Sequence, residues 1–219
     1  MALLLFVFLQ TGPPVGDFIL PDNMPNKENL IVANQLNYDS LYDYANTMLV
    51  KFNTEKETAR KVFINSGTEG IKFLVKKFDT KQASEMSTLE EILKRMGQPA
   101  IDGIIENIDY RGSDQEARSL RLSLRIISET FKYDTTIVGD DVVPSIAKFV
   151  QDSDWRVRGG AATALGYSHS RKALPYLLVL IKDTINVTRK SATYGIKNIG
   201  QPEDVSILLD LLSDDYYGV

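Results

Sequence analysis

Three aspartates and two arginines recur at one spacing in the carboxy-terminal part of the chain. Asp152, Asp183 and Asp214 lie 31 residues apart, and so do Arg158 and Arg189. Carboxylate and guanidinium groups in fixed register offer two chemistries: they can pair, or they can line up cations for an acidic partner. Recurrence in every copy is what the stacking of copies requires, so a structural role is the expected one. Beside them stands Trp155, the single tryptophan, between Asp154 and Arg156. Tryptophan and arginine are enriched at the energetic centres of protein interfaces. Trp155 and Arg156 are therefore the first candidates for a partner contact, against the plainer alternative that the ring packs on the next turn.

The other reactive residues do not assemble into a catalytic or metal-binding set. His169 is the only histidine and cysteine is absent. A zinc site of the usual composition then lacks its ligands, and disulfide or thiolate chemistry is excluded. His169 sits in a polar turn, Ser168-His169-Ser170-Arg171, and no catalytic role is read for it. The carboxylate pairs Glu90-Glu91 and Asp214-Asp215 are adjacent in sequence, so on a helix they point apart and read as solvated surface. Gly67-Thr68-Glu69-Gly70 lacks the Gly-Lys-Ser/Thr of a phosphate loop, and no Gly-x-Gly-x-x-Gly occurs. Asn186-Val187-Thr188 matches a glycosylation acceptor, yet Asn186 is equally placed to cap a helix, and the cap is the reading taken. Neither a metal, a cofactor nor a catalytic residue is expected.

What must position these residues is a repeat. Val143-Pro144-x-Ile146-x-x-Phe149-Val150-x-Asp152 returns as Leu174-Pro175-x-Leu177-x-x-Leu180-Ile181-x-Asp183. It returns again as Val205-x-x-Leu208-x-x-Leu211-Leu212-x-Asp214. Between these, Arg158, Ala161, Ala164 and Leu165 precede Arg189, Ala192, Gly195 and Ile196 by the same 31 residues. A constant period of this size marks a stacked-repeat solenoid. A weaker echo joins Ile71-x-Phe73-Leu74 to Ile101-x-Gly103-Ile104, 30 residues on. From Asp109 to Asp152 the spacing stretches to 43, and the excess is assigned to a polar loop over 132–141.

Apolar residues at i, i+3/i+4 spacing make the elements helices. This pattern is read from Leu30, Ala33 and Leu36 through Leu41, Ala45, Met48, Leu49 and Phe52, and no alternation long enough for a sheet is found. Thr54-x-x-Glu57, Ser66-x-x-Glu69, Ser87-x-x-Glu90 and Ser113-x-x-Glu116 fit the capping box that opens a helix. Pro144 and Pro175 suit a first turn, where a missing amide costs nothing. Ala161, Ala164, Ala192 and Gly195 keep one helix face thin, while Gly166 and Gly200 are placed just past helix ends as left-handed closing residues. The expected fold is all-α, an α-solenoid of about five to six stacked antiparallel helix pairs. The pairs are read at 39–66, 67–97, 98–132, 139–167 and 168–200, with a last first-helix over 201–213. Tyr167, Tyr194 and Lys197 then fall on or near second helices and join the candidate interface as weaker members.

Asp152-Ser153-Asp154-Trp155-Arg156-Val157-Arg158-x-x-Ala161-x-x-Ala164-Leu165-Gly166 resembles the short HEAT repeats first noted in phycobilisome lyases. The next copy departs from that pattern at Thr188 and Gly195. The resemblance covers residues 142–219. It implies an α-solenoid, a concave face lined by second helices, and a ladder in which each Arg joins its neighbours' Asp. The domain reading that follows is an irregular lead-in over 1–26, divergent helical repeats over 27–140, and HEAT-like repeats over 141–219, the last incomplete. Either the array continues past Val219, or another surface, a second copy among them, covers the last helix.

The chain has 219 residues, 43% hydrophobic, with a net charge of −4. A nucleic-acid binder shows a basic surplus, so nucleic acid is not the expected partner, although Arg156, Arg158, Arg171 and Lys172 fall close together. The apolar run of residues 2–9 is too short for a bilayer, which needs ~20 residues. No Lys or Arg precedes the run and Pro13-Pro14 follows it, a poor context for cleavage. A buried segment or a start-site artefact in a cytoplasmic protein is the favoured reading, and a signal core on an exported protein the alternative. The expected function is a non-catalytic scaffold that presents a curved surface to a protein or peptide. The family resemblance alone suggests a chromophore (bilin) lyase or lyase subunit. A third reading is a HEAT-like DNA-repair glycosylase, for which Asp154 and Trp155 supply the bare minimum and against which the acidic balance counts.

Overall fold

A helix with one apolar stripe must bury it against a neighbour, and a pattern repeated every 31 residues leaves each helix pair the same need. The computed structural model, which describes residues 31–32, 35–47, 53–108 and 114–216, meets that need by stacking. A small antiparallel pairing of β1 (Ile31–Val32) with β2 (Gln35–Leu36) comes first. Five helix pairs follow: α1 (Tyr38–Asn46) and α2 (Asn53–Asn65), α3 (Gly67–Val75) and α4 (Ala83–Met96), α5 (Gln98–Glu106) and α6 (Asp114–Tyr133). Then come α7 (Val143–Ala147) and α8 (Trp155–Tyr167), α9 (Leu174–Leu180) and α10 (Asn186–Ile199), and last α11 (Val205–Asp210). Single 3₁₀ turns at Arg171–Ala173, Pro202–Asp204 and Leu211–Ser213 flank α9 and α11. The second helices make one layer in which α2 packs on α4, α4 on α6, α6 on α8 and α8 on α10, while α3 packs on α5 in the first layer. The fold is an α-solenoid.

One continuous core runs between the layers. Leu41, Phe63, Leu74, Ile92, Ile104, Ile127, Ile146, Leu165, Leu177 and Ile196, drawn from ten successive helices, are all buried in it. Each such side chain contributes about 1.5–3 kcal/mol on leaving water, which is why short helices suffice. The first helices α7 and α9 have only 5 and 7 residues, with Pro144 and Pro175 in their first turns, against 13 and 14 for α8 and α10. The two long helices cross closely. Ala161, Ala164 and Ala192 are fully buried, and a Cβ on Gly166 would lie 2.3 Å from Gly195 Cα.

Several sequence expectations are corrected here. Leu36 belongs to the short strand pairing and not to a helix. Ile31 and Val32 are β-branched residues that favour extended backbone, and the helix starts only at Tyr38, capped by Asn37. Leu30, Ala33, Met48, Leu49 and Phe52 lie outside the described residues. Thr54 and Ser87 sit inside α2 and α4 and open neither helix. Ser66 stands at the start of α3, but its hydroxyl donates to Phe63 O at 2.6 Å and caps nothing. Ser113 lies outside the described residues.

Gly166 is inside α8, and Gly200 ends α10 at φ −67, so neither is left-handed. Asn186 is the first residue of α10 and Ile185 its cap, one place earlier than read. The 43-residue spacing is spent largely on helix, since α6 runs 20 residues to Tyr133 before the connection to α7 begins. That connection folds back: Gly139 N donates to Ser168 O at 2.7 Å, and His169 Nε2 lies 3.2 Å from Phe131 O.

Candidate functional site

The turn that follows the first helix is built alike in the last three repeats. Asp152 Oδ1 accepts from Asp154 N at 2.8 Å, Asp183 Oδ1 from Ile185 N at 2.8 Å, and Asp214 Oδ1 from Tyr216 N at 2.9 Å. A side chain that satisfies the amide two residues on reverses the backbone without help from a sheet. At Asp183 and Asp214 the other carboxylate oxygen receives a cation.

Arginines from the preceding repeat take that position. Arg158 donates to both oxygens of Asp183, from Nε at 2.6 Å and Nη2 at 2.9 Å, while its Nη1 donates to Asp152 O at 2.8 Å. Arg189 repeats this on Asp214, at 2.7 and 2.8 Å, and on Asp183 O at 3.0 Å. Each arginine thus closes its own turn and grips the next. A second rung, from Arg171 to Asp204 and to Ile199 O, links α9 to the start of α11.

The carboxylates respond. Hydrogen bonds from Arg189 and then from the Tyr216 amide lower Asp214 from 3.8 to about 2. Burial pushes Asp183 up, but the Arg158 guanidinium and the Ile185 amide outweigh it and hold the group below the usual range. Hydrogen bonding to Asp183 raises Arg158 in return. Paired in this way, Arg158 and Arg189 are used within the fold, with side chains only 15% and 13% exposed.

The five candidate interface residues divide into two groups at opposite ends of the second helices. At the start of α8, Asp154 caps the helix by accepting from Arg156 N at 2.9 Å, and it also accepts from Arg121 of α6 at 3.3 Å. The Arg156 guanidinium lies 5.2 Å from the centre of the Trp155 ring. Thr188 of α10 donates to Trp155 O at 3.3 Å. Asp154 therefore has a capping and bridging role.

Tyr167, Tyr194 and Lys197 gather at the other end, roughly 16 Å along the helix from Arg156 at 1.5 Å per residue. Tyr167 and Tyr194 line a cavity of about 160 Å³ with Lys132, Thr163, Ser191 and Gly195. Lys132 Nζ lies 4.4 Å from the Tyr167 ring centre, and Lys190 and Lys197 lie 5.9 and 6.0 Å from that of Tyr194. Such contacts are worth about 0.5–1 kcal/mol at exposed sites. They also set Lys132 in the wall of the hollow and Lys190 and Lys197 beside the Tyr194 ring.

Sequence reasoning missed Lys132, Lys190, Thr163 and Ser191. A signal for two of them existed. Thr163 and Tyr194 occupy equivalent places in successive repeats, and Lys190 lies one turn before Tyr194. Lys132 had none, because the long α6 puts its end out of the 31-residue register. Among the described residues, no helix is long and apolar enough to cross a membrane, and no three His, Asp or Glu side chains are grouped to hold a metal ion.

Comparison with known proteins bears on the same part of the chain. Residues 143–219 match the family model described as HEAT repeats. No curated protein matches. Among solved structures, the chain is similar to a designed armadillo repeat protein at 15% identity, TM-score 0.47, over 82% of this chain and 93% of that one. It is similar to a second designed armadillo repeat protein, solved in complex with peptide (KR)4, at 16% identity, TM-score 0.45, over 82% and 93%. An engineered protein from a structural genomics consortium aligns at 16% identity, TM-score 0.48, over 83% of each chain. The 31-residue period and the stacked helix pairs lie where that family model matches, so residues 143–219 are similar to HEAT repeats.

Proposed function

We propose that the chain is a non-catalytic scaffold whose second-helix layer holds a protein or peptide segment. The observation that carries this reading is the hollow between α6, α8 and α10. There Tyr167 and Tyr194 stand with Lys132, and Tyr194 is 51% exposed. Aromatic rings with few rotamers lose little entropy when a partner covers them, and they carry much of the energy of protein interfaces. The Arg–Asp rungs add to the case, because they fix the helices on which the rings stand.

A peptide-display selection with the full chain as bait tests the reading. Enriched peptides are expected to lose binding when Tyr167 and Tyr194 are both changed to Ala, in protein that keeps its helical circular dichroism. Failure to enrich any peptide over a bait-free control, or peptides indifferent to that double change, would remove this surface as the functional one.

A further inference from the structure

The chemistry of the partner follows from how charge is divided between the two sides of the stack. The second helices α6, α8 and α10 carry nine Arg and Lys against three Asp and Glu, and none of the three carboxylates is on α8 or α10. The first helices and connections over 134–154, 168–185 and 200–216 carry four Arg and Lys against eleven Asp and Glu. A net charge of −4 for the chain hides this separation.

Most of the cations on the second helices are already matched. Arg158 and Arg189 hold Asp183 and Asp214, Arg121 reaches Asp154, and Arg125 reaches Glu90 at 2.8 Å. Lys132 reaches Glu129 at 2.6 Å. Lys190 and Lys197 are different. Among the described residues each lies by the Tyr194 ring, on either side of it along α10, next to the hollow that Tyr167 shares. Two unneutralised ammonium groups on one face of α10, about two turns apart and beside two phenol rings, fit a short run of carboxylates. They do not fit a nucleic-acid duplex, whose affinity depends on matching many phosphates over a long track. Several carboxylates of the first helices and connections, Asp154, Asp183 and Asp214 among them, are spent on second-helix arginines, so it is the two lysines of α10 that give an acidic segment its place on this face.

We infer that the Tyr167–Tyr194 hollow binds an extended acidic peptide segment of a partner protein, its carboxylates on Lys190 and Lys197 and its backbone across the two rings. This rests on the scaffold reading and adds the partner's chemistry to it.

The test is fluorescence anisotropy of the full chain with three labelled probes of about equal length: a Glu/Asp-rich peptide, a Lys/Arg-rich peptide and a single-stranded oligonucleotide. Saturable binding of the acidic peptide is expected, weakening as salt is raised. It should fall by about tenfold or more in the double variant Lys190→Glu, Lys197→Glu. The same reversal at Lys148 and Lys182, in the turns after α7 and α9, should leave it unchanged. No saturable binding of the acidic peptide, equal loss in both double variants, or tighter binding of either other probe would overturn the inference. The display selection separates the two failures. Enriched peptides without acidic bias that still depend on Tyr194 would leave the scaffold standing and remove the acidic partner, whereas no enrichment would remove both.

Discussion

The guanidinium of Arg158 meets the carboxylate of Asp183 edge to edge, with donor distances of 2.6 and 2.9 Å across 25 residues of chain. Arg189 meets Asp214 over the same 25 residues at 2.7 and 2.8 Å. Because the Asp183 side chain is only 6% exposed, removing it strands a shielded cation and leaves the Ile185 amide without its acceptor. Asp183→Ala is expected to cost roughly 2–4 kcal/mol, less than the loss of a fully buried partner because water reaches Arg158. Arg156→Ala removes a side chain that is 57% exposed and 3.7 Å from its carboxylate, so it should shift stability by under about 0.5 kcal/mol. Urea midpoints at unchanged slope provide the comparison. Equal losses in the two variants would mean that the ladder contributes nothing special.

Acid should act on the same groups. Asp214 titrates at about 2 in the folded chain against 3.8 for an ordinary carboxyl, and Asp183 and Asp204 are shifted in the same direction. A carboxyl with a depressed folded value binds its proton more readily when unfolded. The stability it contributes is therefore fully present above about pH 4 and disappears as pH falls towards 2. Urea midpoints taken between pH 6 and pH 2 should fall most steeply in that window, and Asp214→Asn should flatten the slope. A midpoint that stays level down to pH 2 would contradict the pairing.

Two glycines of α8 should answer to alanine with opposite signs. At Gly166 a methyl group meets the backbone of Gly195, with Cα at 2.3 Å and N at 3.2 Å, so the helices must separate. A loss of about 2–3 kcal/mol or more is expected for Gly166→Ala. At Gly159 the nearest atom to the new methyl group is Thr188 Oγ1 at 3.9 Å, and the helix gains a better former. Gly159→Ala should stabilise by up to about 1 kcal/mol. Thermal melts of the two variants side by side test the crossing directly.

Phe131, fully buried near the end of α6, is met by His169 edge-on and lies against Gly139. Phe131→Ala should cost about 3–5 kcal/mol through the cavity it leaves. Amide exchange should also speed up over 134–142, because the connection loses the ring it rests on. Faster exchange confined to α6 itself would argue against that coupling.

The periodicity made the later repeats legible because equal steps in sequence become equal steps in space. Pro144 and Pro175, the buried alanines, and the register of Arg158 and Arg189 with the aspartates could all be read from spacing. Gly166 could not, since a glycine after Ala-Leu suits a helix end as well as a close crossing, and only the partner at Gly195 decides. The capping boxes at Thr54 and Ser87 failed for a related reason. Ser or Thr three places ahead of Glu is also comfortable on an exposed helix surface, as in α2 and α4. Of the candidate surface, Tyr167, Tyr194 and Lys197 were visible as second-helix residues. Their separation from Trp155 and Arg156 depends on helix length, and the place of Lys132 depends on the irregular α6.

Among the described residues, side-chain hydrogen bonds stay close along the chain. Arg158 finds Asp183 after 25 residues, and a wider bridge such as Thr88 to Asn46 spans 42. Stretched from its two ends, such a chain has no single seam whose rupture frees everything. Each helix pair should instead peel away from its neighbour in turn, releasing about 100 Å of slack at roughly 3.4 Å per residue, so that the molecule yields to load as a ratcheting spring.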